Sequence, residues 1–180
     1  MKRVALVLLL ITVFACKNDK KGTTLSQDTK EAEEVLVDKN ILSFIINAIV
    51  SQNDEFIVYY LDVNDKEISN NRSISKSVKG SEIQQKITFD FPEGVIPTRI
   101  IIKTGKNKEN KIDIIDAIFV LNDKDFKISG DRFFDYFIPN DFIEYDKATS
   151  SYSFKFVNEK FNPSFLSRKV LIDKLEMIFY

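Results

Sequence analysis

Residues 82–91 read EIQQKITFDF, and this segment indicates the fold class most clearly. Its apolar side chains alternate with polar ones, and Gln85 alone interrupts the apolar set, which comprises Ile83, Ile87, Phe89 and Phe91. Successive side chains of a β-strand point to opposite faces, so a period of two predicts a strand with one face in a core and one in water.

Apolar segments rich in β-branched and aromatic residues recur on both sides of this strand. Polar clusters separate them at intervals of about ten residues, which is typical of a many-stranded antiparallel protein. Segment 55–62 (EFIVYYLD) is apolar on both faces, as expected of a central strand, whereas segment 72–80 (RSISKSVKG) is polar, as expected of an edge strand. The other strands predicted before residue 130 are 41–50, 98–104, 111–121 and 126–129.

A charged segment, 105–110 (GKNKEN), lies between two of these strands. It is predicted to be the tip of a hairpin that joins 98–104 to 111–121. Four lysines lie within or beside it, interrupted by Glu109: Lys103, Lys106, Lys108 and Lys111. A solubilising tip accounts for them.

The pattern is less regular towards the C-terminus. Segment 130–140 (GDRFFDYFIPN) does not alternate, which predicts an irregular segment with one helical turn, folded over the edge of the sheets. Segments 142–145 and 151–157 are predicted to pair as a hairpin. From Pro163 onward apolar residues fall at helical spacing and predict a short amphipathic helix, with a closing strand over 175–180 as the alternative.

These elements predict one all-β domain over residues 35–180. We expect an antiparallel β-sandwich, jelly-roll-like, with a short C-terminal helix. Sixteen phenylalanines and abundant isoleucine can supply its core.

The first sixteen residues have a different character. Lys2 and Arg3 precede a largely apolar run over 4–14, and Ala15 stands directly before Cys16, the single cysteine of the chain. A cationic start, a short apolar run and a small residue at the cleavage point are the marks of an export signal. The run is about half as long as a bilayer-spanning helix, so no permanent transmembrane anchor is predicted.

This arrangement resembles the signal of bacterial lipoproteins, whose lipobox ends in a small residue and a cysteine. The resemblance implies that residues 1–15 are removed and that Cys16 carries a thioether-linked diacylglycerol and an amide-linked acyl chain. Two or three acyl chains hold a protein on a membrane where one is marginal. The alternatives are an ordinary secretory signal cut after Ala15, or a buried cysteine in a cytosolic protein.

The polar segment 17–34 shows no hydrophobic period and is predicted to be a flexible tether. The expected organisation is therefore a signal peptide over 1–15, a lipidated cysteine and tether over 16–34, and the sandwich over 35–180. We expect an exported protein, lipid-anchored to the bacterial cell envelope, either facing the periplasm or exposed on the outer membrane.

The composition restricts the chemistry. Loss of Lys2 and Arg3 with the signal reduces the 26 basic residues to 24, against 27 acidic ones, and this balance does not suggest nucleic-acid binding. The chain has no histidine and no cysteine besides Cys16, which excludes Ser-His-Asp and Cys-His catalysis, histidine or thiolate zinc sites and disulfides.

Four segments together resemble the galactose-binding-like, jelly-roll β-sandwich modules of bacterial envelope proteins: 54–60 (DEFIVYY), 77–91 (SVKGSEIQQKITFDF), 97–102 (PTRIII) and 112–120 (IDIIDAIFV). The resemblance implies binding of a carbohydrate or a protein partner without catalysis, often with a structural calcium ion. No binding residue can be transferred from that group, and the chain lacks the tryptophan usual in sugar-stacking platforms.

Three acidic groups offer oxygen ligands for calcium. Asp62, Asn64 and Asp65 have the spacing of a calcium loop, but Lys66 stands at the fifth position and Glu67 where an EF-hand needs glycine, so a solvated turn is the default. Asp113 and Asp116, like the turn 122–125 (NDKD), are weaker candidates. The pair would face opposite sides of a regular strand and could share a metal only at a bulge. No other cofactor is expected.

A contrasting hypothesis is a carboxylate-dependent, glycan-active enzyme, which needs two carboxylates about 5–10 Å apart. The candidates lie near the irregular segment, with Tyr136 or Tyr145 as the sugar platform: Asp131, Asp135, Asp141 and Glu144. Acidic residues are frequent throughout the chain, so a local group of four carries little weight, and we expect no catalysis.

An aromatic cluster in the same segment has two interpretations. Exposed, it would dock a protein partner or a glycan; buried, it would close the end of the sandwich. Its members are Phe133, Phe134, Tyr136 and Phe137. We favour burial for the cluster and, for the whole chain, a membrane-anchored, non-catalytic binding or structural module. A protein partner is preferred to a glycan because tryptophan is absent.

Overall fold

The computed structural model describes residues 40–146 and 151–180. The predicted signal over 1–15, Cys16 and the tether lie outside the described residues, as does 147–150 in the turn of one predicted hairpin. Within the part described, no helix is both long and apolar enough to cross a membrane.

The described chain is built mainly of antiparallel strands. The strands are β1 (Ser43–Val50), β2 (Asp54–Leu61), β3 (Ser73–Val78), β4 (Ser81–Asp90), β5 (Arg99–Lys103), β6 (Lys111–Leu121), β7 (Lys124–Ser129), β8 (Phe137–Pro139), β9 (Ile143–Asp146), β10 (Ser151–Phe154) and β11 (Ser164–Ser167). A 3₁₀ turn (Gly130–Arg132) leads into helix α1 (Phe133–Tyr136), and helix α2 (Lys169–Phe179) follows β11.

Two sheets form a β-sandwich, as the sequence predicts. The described strands of the six-stranded sheet have the order β4-β1-β6-β10-β9, with β7 also paired to β6. Those of the five-stranded sheet have the order β3-β2-β5-β11-β8. The polar strand β3 is an edge and the doubly apolar strand β2 lies inside its sheet, so both of these predictions are confirmed.

The core lies between the inner faces of the two sheets. Its largest fully buried side chains are mostly phenylalanines, and the rings of Phe44 and Phe119 from neighbouring strands stack with centroids 4.4 Å apart. Each buried aromatic or aliphatic side chain contributes about 1.5–3 kcal/mol to stability. A phenylalanine-rich interior can therefore hold the described domain together by packing.

Ile83 is not part of that core, although the alternation of 82–91 places it there. It is 76% exposed, whereas Ile87 and Phe89 are buried. Ala48 pairs with Gln85 but Val50 pairs with Ser81, so β4 contributes more residues than β1 between these two pairs. This bulge displaces Ile83 from the regular ladder, and side-chain alternation stops predicting the inward face.

The predicted hairpin over 105–110 is wrong. β5 belongs to the five-stranded sheet and β6 to the six-stranded sheet, so this loop crosses between sheets at the end of the sandwich. A short polar loop between two apolar strands has the same sequence pattern in both arrangements, because the pattern does not specify which strands pair.

The C-terminal helix is confirmed, but it begins at Lys169 rather than near Pro163. Phe165 and Leu166 belong to β11, which pairs with both β5 and β8, and these ladders override the helical spacing. In α2 the side chains of Leu171, Leu175 and Phe179 are buried at intervals of four residues. The alternative closing strand over 175–180 does not form.

The irregular segment contains a helical turn, as predicted, and then the short edge strand β8, which was not predicted. Pro139 ends β8, a position where an edge strand tolerates proline. The predicted pairing of the segments on either side of 147–150 is confirmed, since β9 pairs with β10.

Candidate functional site

The aromatic cluster of α1 and β8 is packed into the core. Phe133 and Phe137 are 1% and 0% exposed, and Tyr136 is also buried. Phe134 is half-buried, with its ring centroid 4.5 Å from that of Tyr145. Three of the four rings are therefore buried, in agreement with the favoured interpretation, and Phe134 alone is partly exposed.

The two tyrosines predicted to form a sugar platform beside the four candidate carboxylates are packed against other side chains. Tyr136 is buried and Tyr145 packs against Phe134. Asp135 pairs with Arg132 and Glu144 with Lys155, each at 3.1 Å, on the exposed surface. The two remaining members, Asp131 and Asp141, are also exposed.

The first calcium candidates, in the turn after β2, lie in a segment stabilised by hydrogen bonds and one ion pair. The carboxylate of Asp65 accepts a hydrogen bond from the backbone N–H of Asp62 at 2.9 Å and pairs with Arg72 at 3.0 Å. The Oδ1 atom of Asp62 accepts the backbone N–H of Val63 at 2.7 Å, and Asn64 is exposed beside it. Residues 40–146 and 151–180 contain no group of three acidic, histidine or cysteine residues arranged to hold a metal ion.

Asp113 and Asp116, the second calcium candidate, lie on a strand that contains a bulge. Asn47 pairs with Asp116 but Ala48 pairs with Ile114, so β6 bulges at Ile115. The bulge places Asp113 and Asp116 on the same face, where a regular strand would separate them. Asp116 is ion-paired with Lys127 at 2.8 Å and accepts the side-chain amide of Asn47 at 2.6 Å, so its charge is balanced.

The outer face of the five-stranded sheet carries a surface that the sequence analysis did not identify. Tyr59 of β2 lies opposite Ile101 of β5, Ile101 opposite Leu166 of β11, and Leu166 opposite Ile138 of β8. Their neighbours along each strand, such as Phe165, point into the core, so these four side chains point outward. We call Tyr59, Ile101, Leu166 and Ile138 the apolar row.

At one end of this face lies a pocket of about 380 Å³, which we call the end pocket. Tyr59, Ile57 and Glu55 of β2 contribute to it, together with the end of β5 and the loop after it. Its remaining lining comes from the loop before β11. The full lining is Glu55, Ile57, Tyr59, Lys103, Thr104, Gly105, Lys106, Phe161, Asn162 and Pro163.

A tight turn in the β10–β11 connection positions Phe161. Val157 and Lys160 form an isolated antiparallel bridge, and the two residues between them, Asn158 and Glu159, have φ angles of 49° and 62°. Such a left-handed pair is the geometry of a two-residue hairpin turn, usually occupied by Asn-Gly. The turn brings the rings of Phe156 and Phe161 to 5.2 Å of one another.

A buried carboxylate fixes the other wall of the end pocket. Asp54, the first residue of β2, accepts the backbone N–H groups of Gly105 at 2.9 Å and Lys106 at 2.8 Å. It also accepts the backbone N–H of Glu55 at 2.7 Å and the side-chain amide of Asn110 at 2.7 Å. Each carboxylate oxygen therefore receives two hydrogen bonds, which tie the sheet-crossing loop to the start of β2.

Glu55 and Lys106 form an ion pair at the rim of the end pocket. The hydrogen bond from Lys106 lowers the pKa of Glu55, and the bond from Ser75 lowers it further. The same pair raises the pKa of Lys106. The Nζ atom of Lys103 instead lies 5.3 Å from the centre of the Tyr59 ring, a cation–π distance.

The two halves of this surface can bind by different means. The apolar row offers hydrophobic contact across four strands, while the end pocket combines aromatic walls with ammonium groups. The sequence contains part of the signal for this surface: segment 55–62 is apolar on both faces, and Lys103 and Lys106 belong to a basic run. Phe161 gave no signal, because only the fold brings it to β2.

Comparison of the chain with protein-family models, with curated proteins and with solved structures gave no significant match. The similarity to galactose-binding-like modules therefore stays a prediction from the sequence.

Proposed function

We propose that this chain is a lipoprotein, anchored through Cys16 to the bacterial cell envelope, whose sandwich domain binds a protein partner without catalysis. The apolar row on the outer face of the five-stranded sheet is the observation that carries the proposal. An outer sheet face in contact only with water usually carries polar side chains, because just one face needs to be buried. Here four neighbouring strands each present an apolar side chain instead.

The charges around the row favour a particular kind of partner. The strands of this face carry Arg99, Lys103 and Glu55 on their outward positions, and Lys106 of the adjoining loop pairs with Glu55. Neither Arg99 nor Lys103 has an ion-pair partner among the described residues. An apolar centre with a cationic margin complements a partner surface that is apolar at its centre and acidic at its margin.

Site-specific photocrosslinking in the source bacterium tests the proposal. A photoreactive phenylalanine derivative replaces Ile138 or Leu166 of the apolar row. The matched control replaces Ile115, an isoleucine of the six-stranded sheet that is 42% exposed, against 40% for Ile138. We expect a discrete adduct from the two row positions and none from position 115.

The adduct should also depend on the row itself. With the photoreactive residue at 138, the substitution Leu166→Lys should reduce the adduct about tenfold, because a charge replaces the central apolar contact. Equal adducts from positions 138 and 115, or an adduct that Leu166→Lys leaves unchanged, would contradict the proposal. An adduct with the mass of two copies of this chain would show self-association instead.

A further inference from the structure

One of the two lysines that line the end pocket has no ion-pair partner among the described residues. The charged lining residues of the pocket are Glu55, Lys103 and Lys106, and the carboxylate of Glu55 already pairs with Lys106. Lys103 has no ion-pair partner in the part of the chain that the structure describes. The three charged lining residues therefore sum to plus one; the nearby carboxylate of Asp54 is not part of the lining, is buried and accepts four hydrogen bonds.

The wall beside Lys103 is apolar. The rings of Tyr59 and Phe161 line the pocket together with Ile57 and Pro163. A wall of this kind lowers the local dielectric constant, so a charge pair formed against it is stronger than one in open water. A carboxylate on a short aliphatic stem matches both features, since the stem can contact the rings while the oxygens reach Lys103.

The geometry of β5 connects this pocket to the apolar row. Lys103 and Ile101 are successive outward residues of β5, so their side chains emerge about 7 Å apart, at about 3.3–3.4 Å per residue. An extended partner segment has the same repeat between residues i and i+2. Such a segment can place a carboxylate on Lys103 and an apolar side chain on Ile101 at once.

Resting on the proposed function, we infer that the end pocket binds an aspartate or glutamate side chain of the protein partner. The same extended segment crosses the apolar row at Ile101 and places an apolar side chain there. The partner is thus recognised by an acidic residue with an apolar residue two positions away. Lys103 supplies the charge contact, and Lys106, held by Glu55, borders the pocket.

A peptide-binding assay on the full-length lipidated protein in detergent tests this inference. The probe is a fluorescein-labelled, end-capped peptide of sequence Leu-Thr-Glu-Thr-Leu, followed by fluorescence anisotropy. We expect saturable binding that Lys103→Glu weakens about tenfold, because attraction becomes repulsion. The matched control is Lys111→Glu, an exposed lysine of the same basic run that does not line the pocket, and it should change the affinity by less than about twofold.

Two further probes identify the source of the carboxylate. A peptide with lysine in place of the glutamate should not bind, and glucuronic acid should not compete with the acidic peptide. Competition by glucuronic acid without peptide binding would assign the pocket to acidic sugars and overturn the inference. Absence of binding up to the solubility limit of the peptide, or equal effects of the two lysine substitutions, would also overturn it.

The two proposals can fail separately. If the photocrosslinks from positions 138 and 166 persist unchanged in a Lys103→Glu background, the carboxylate contact is wrong while the docking face stands. If the acidic peptide binds through Lys103 but the row gives no specific crosslinks, the docking face is wrong. Urea denaturation of the Lys103→Glu variant, expected to match the unsubstituted protein, confirms that the substitution does not act through folding.

Discussion

The buried carboxylate of Asp54 gives the most quantitative prediction from this structure. The Asp54→Ala substitution removes the acceptor of four hydrogen bonds and leaves the N–H groups of Glu55, Gly105 and Lys106 and the amide of Asn110 without it. A buried donor left without a partner costs about 1–3 kcal/mol. Water can reach part of this site, so we take the lower end of that range for each donor.

Four donors at about 1 kcal/mol each predict a loss of about 4 kcal/mol in the free energy of unfolding. That is a large share of the about 5–15 kcal/mol that a typical domain possesses. With a urea m-value of about 2 kcal/mol per molar, the unfolding midpoint should fall by about 2 M. The domain should still fold in the absence of denaturant.

The isosteric Asp54→Asn variant separates the hydrogen bonds from the volume of the side chain. Its remaining oxygen can accept two of the four donors, while its amide nitrogen faces the other two and cannot accept. We expect a loss of about 2 kcal/mol, between the unsubstituted protein and Asp54→Ala. The matched control is Asp90→Ala, which removes one exposed hydrogen bond from Ser43 and should cost less than about 1 kcal/mol.

Urea denaturation followed by far-UV circular dichroism measures all three variants, since the chain has no tryptophan for fluorescence. The reasoning is refuted if Asp54→Ala lowers the stability no more than Asp90→Ala does. It is also refuted if Asp54→Asn is at least as destabilising as Asp54→Ala, because the order of the two follows directly from the acceptor count.

Three further predictions concern other parts of the molecule. Cys16→Ser should abolish incorporation of radiolabelled palmitate and move the protein to the soluble fraction; unchanged membrane fractionation would contradict the lipoprotein assignment. Gly105→Ala should lower the free energy of unfolding by about 2–4 kcal/mol, because φ is +78° and the new Cβ would lie 2.8 Å from the ring of Phe154. The control Gly94→Ala, at φ +75° with open space around it, should cost about 1 kcal/mol; urea melts measure both. Burial raises the pKa of Tyr152 well above its ordinary value, so the unfolded chain loses this proton first and the free energy of unfolding should fall as the pH rises above about 10. Tyr152→Phe should reduce that alkaline loss of stability. An unchanged dependence of stability on pH in this variant would contradict the prediction.

Much of the fold was predictable because the residues of each strand indicate whether it is buried, central or at an edge. Alternation identified β4, apolarity on both faces placed β2 inside its sheet, and polarity placed β3 at an edge. These features depend on the environment of each strand taken singly, so the sequence contains them. Strand pairing does not depend on single strands, so the local pattern predicts a hairpin at the loop after β5, which in the structure crosses between the sheets.

The errors within elements have a common cause. The bulge at Ile83 displaces that side chain from the ladder, and the bulge at Ile115 changes which face the neighbouring side chains occupy; a period of two cannot reveal where residues are inserted. Phe165 and Leu166 fit a helical spacing by chance, and the ladders to β5 and β8 draw them into a strand. Pairing energy from distant strands overrode the local pattern in that segment.

The candidate surface was the least predictable part. Ile101, Leu166 and Ile138 lie far apart in sequence on three strands, and their register alone makes them neighbours. The end pocket likewise needs Phe161 and Tyr59 to meet across the fold. The aromatic cluster around Phe133 was more conspicuous in the sequence, yet the structure places most of it in the core.

The sequence by itself determined the β class, the phenylalanine-rich core and the absence of histidine and thiol chemistry in the domain, and it predicts an export signal. These follow from composition and from short-range periodicity, which act over a few residues. The tertiary structure decided which strands pair, which alternating positions face water, and which lysine is left without a counter-charge. Such features arise from contacts between residues distant in sequence, and these contacts contribute to stability only once the two sheets have come together.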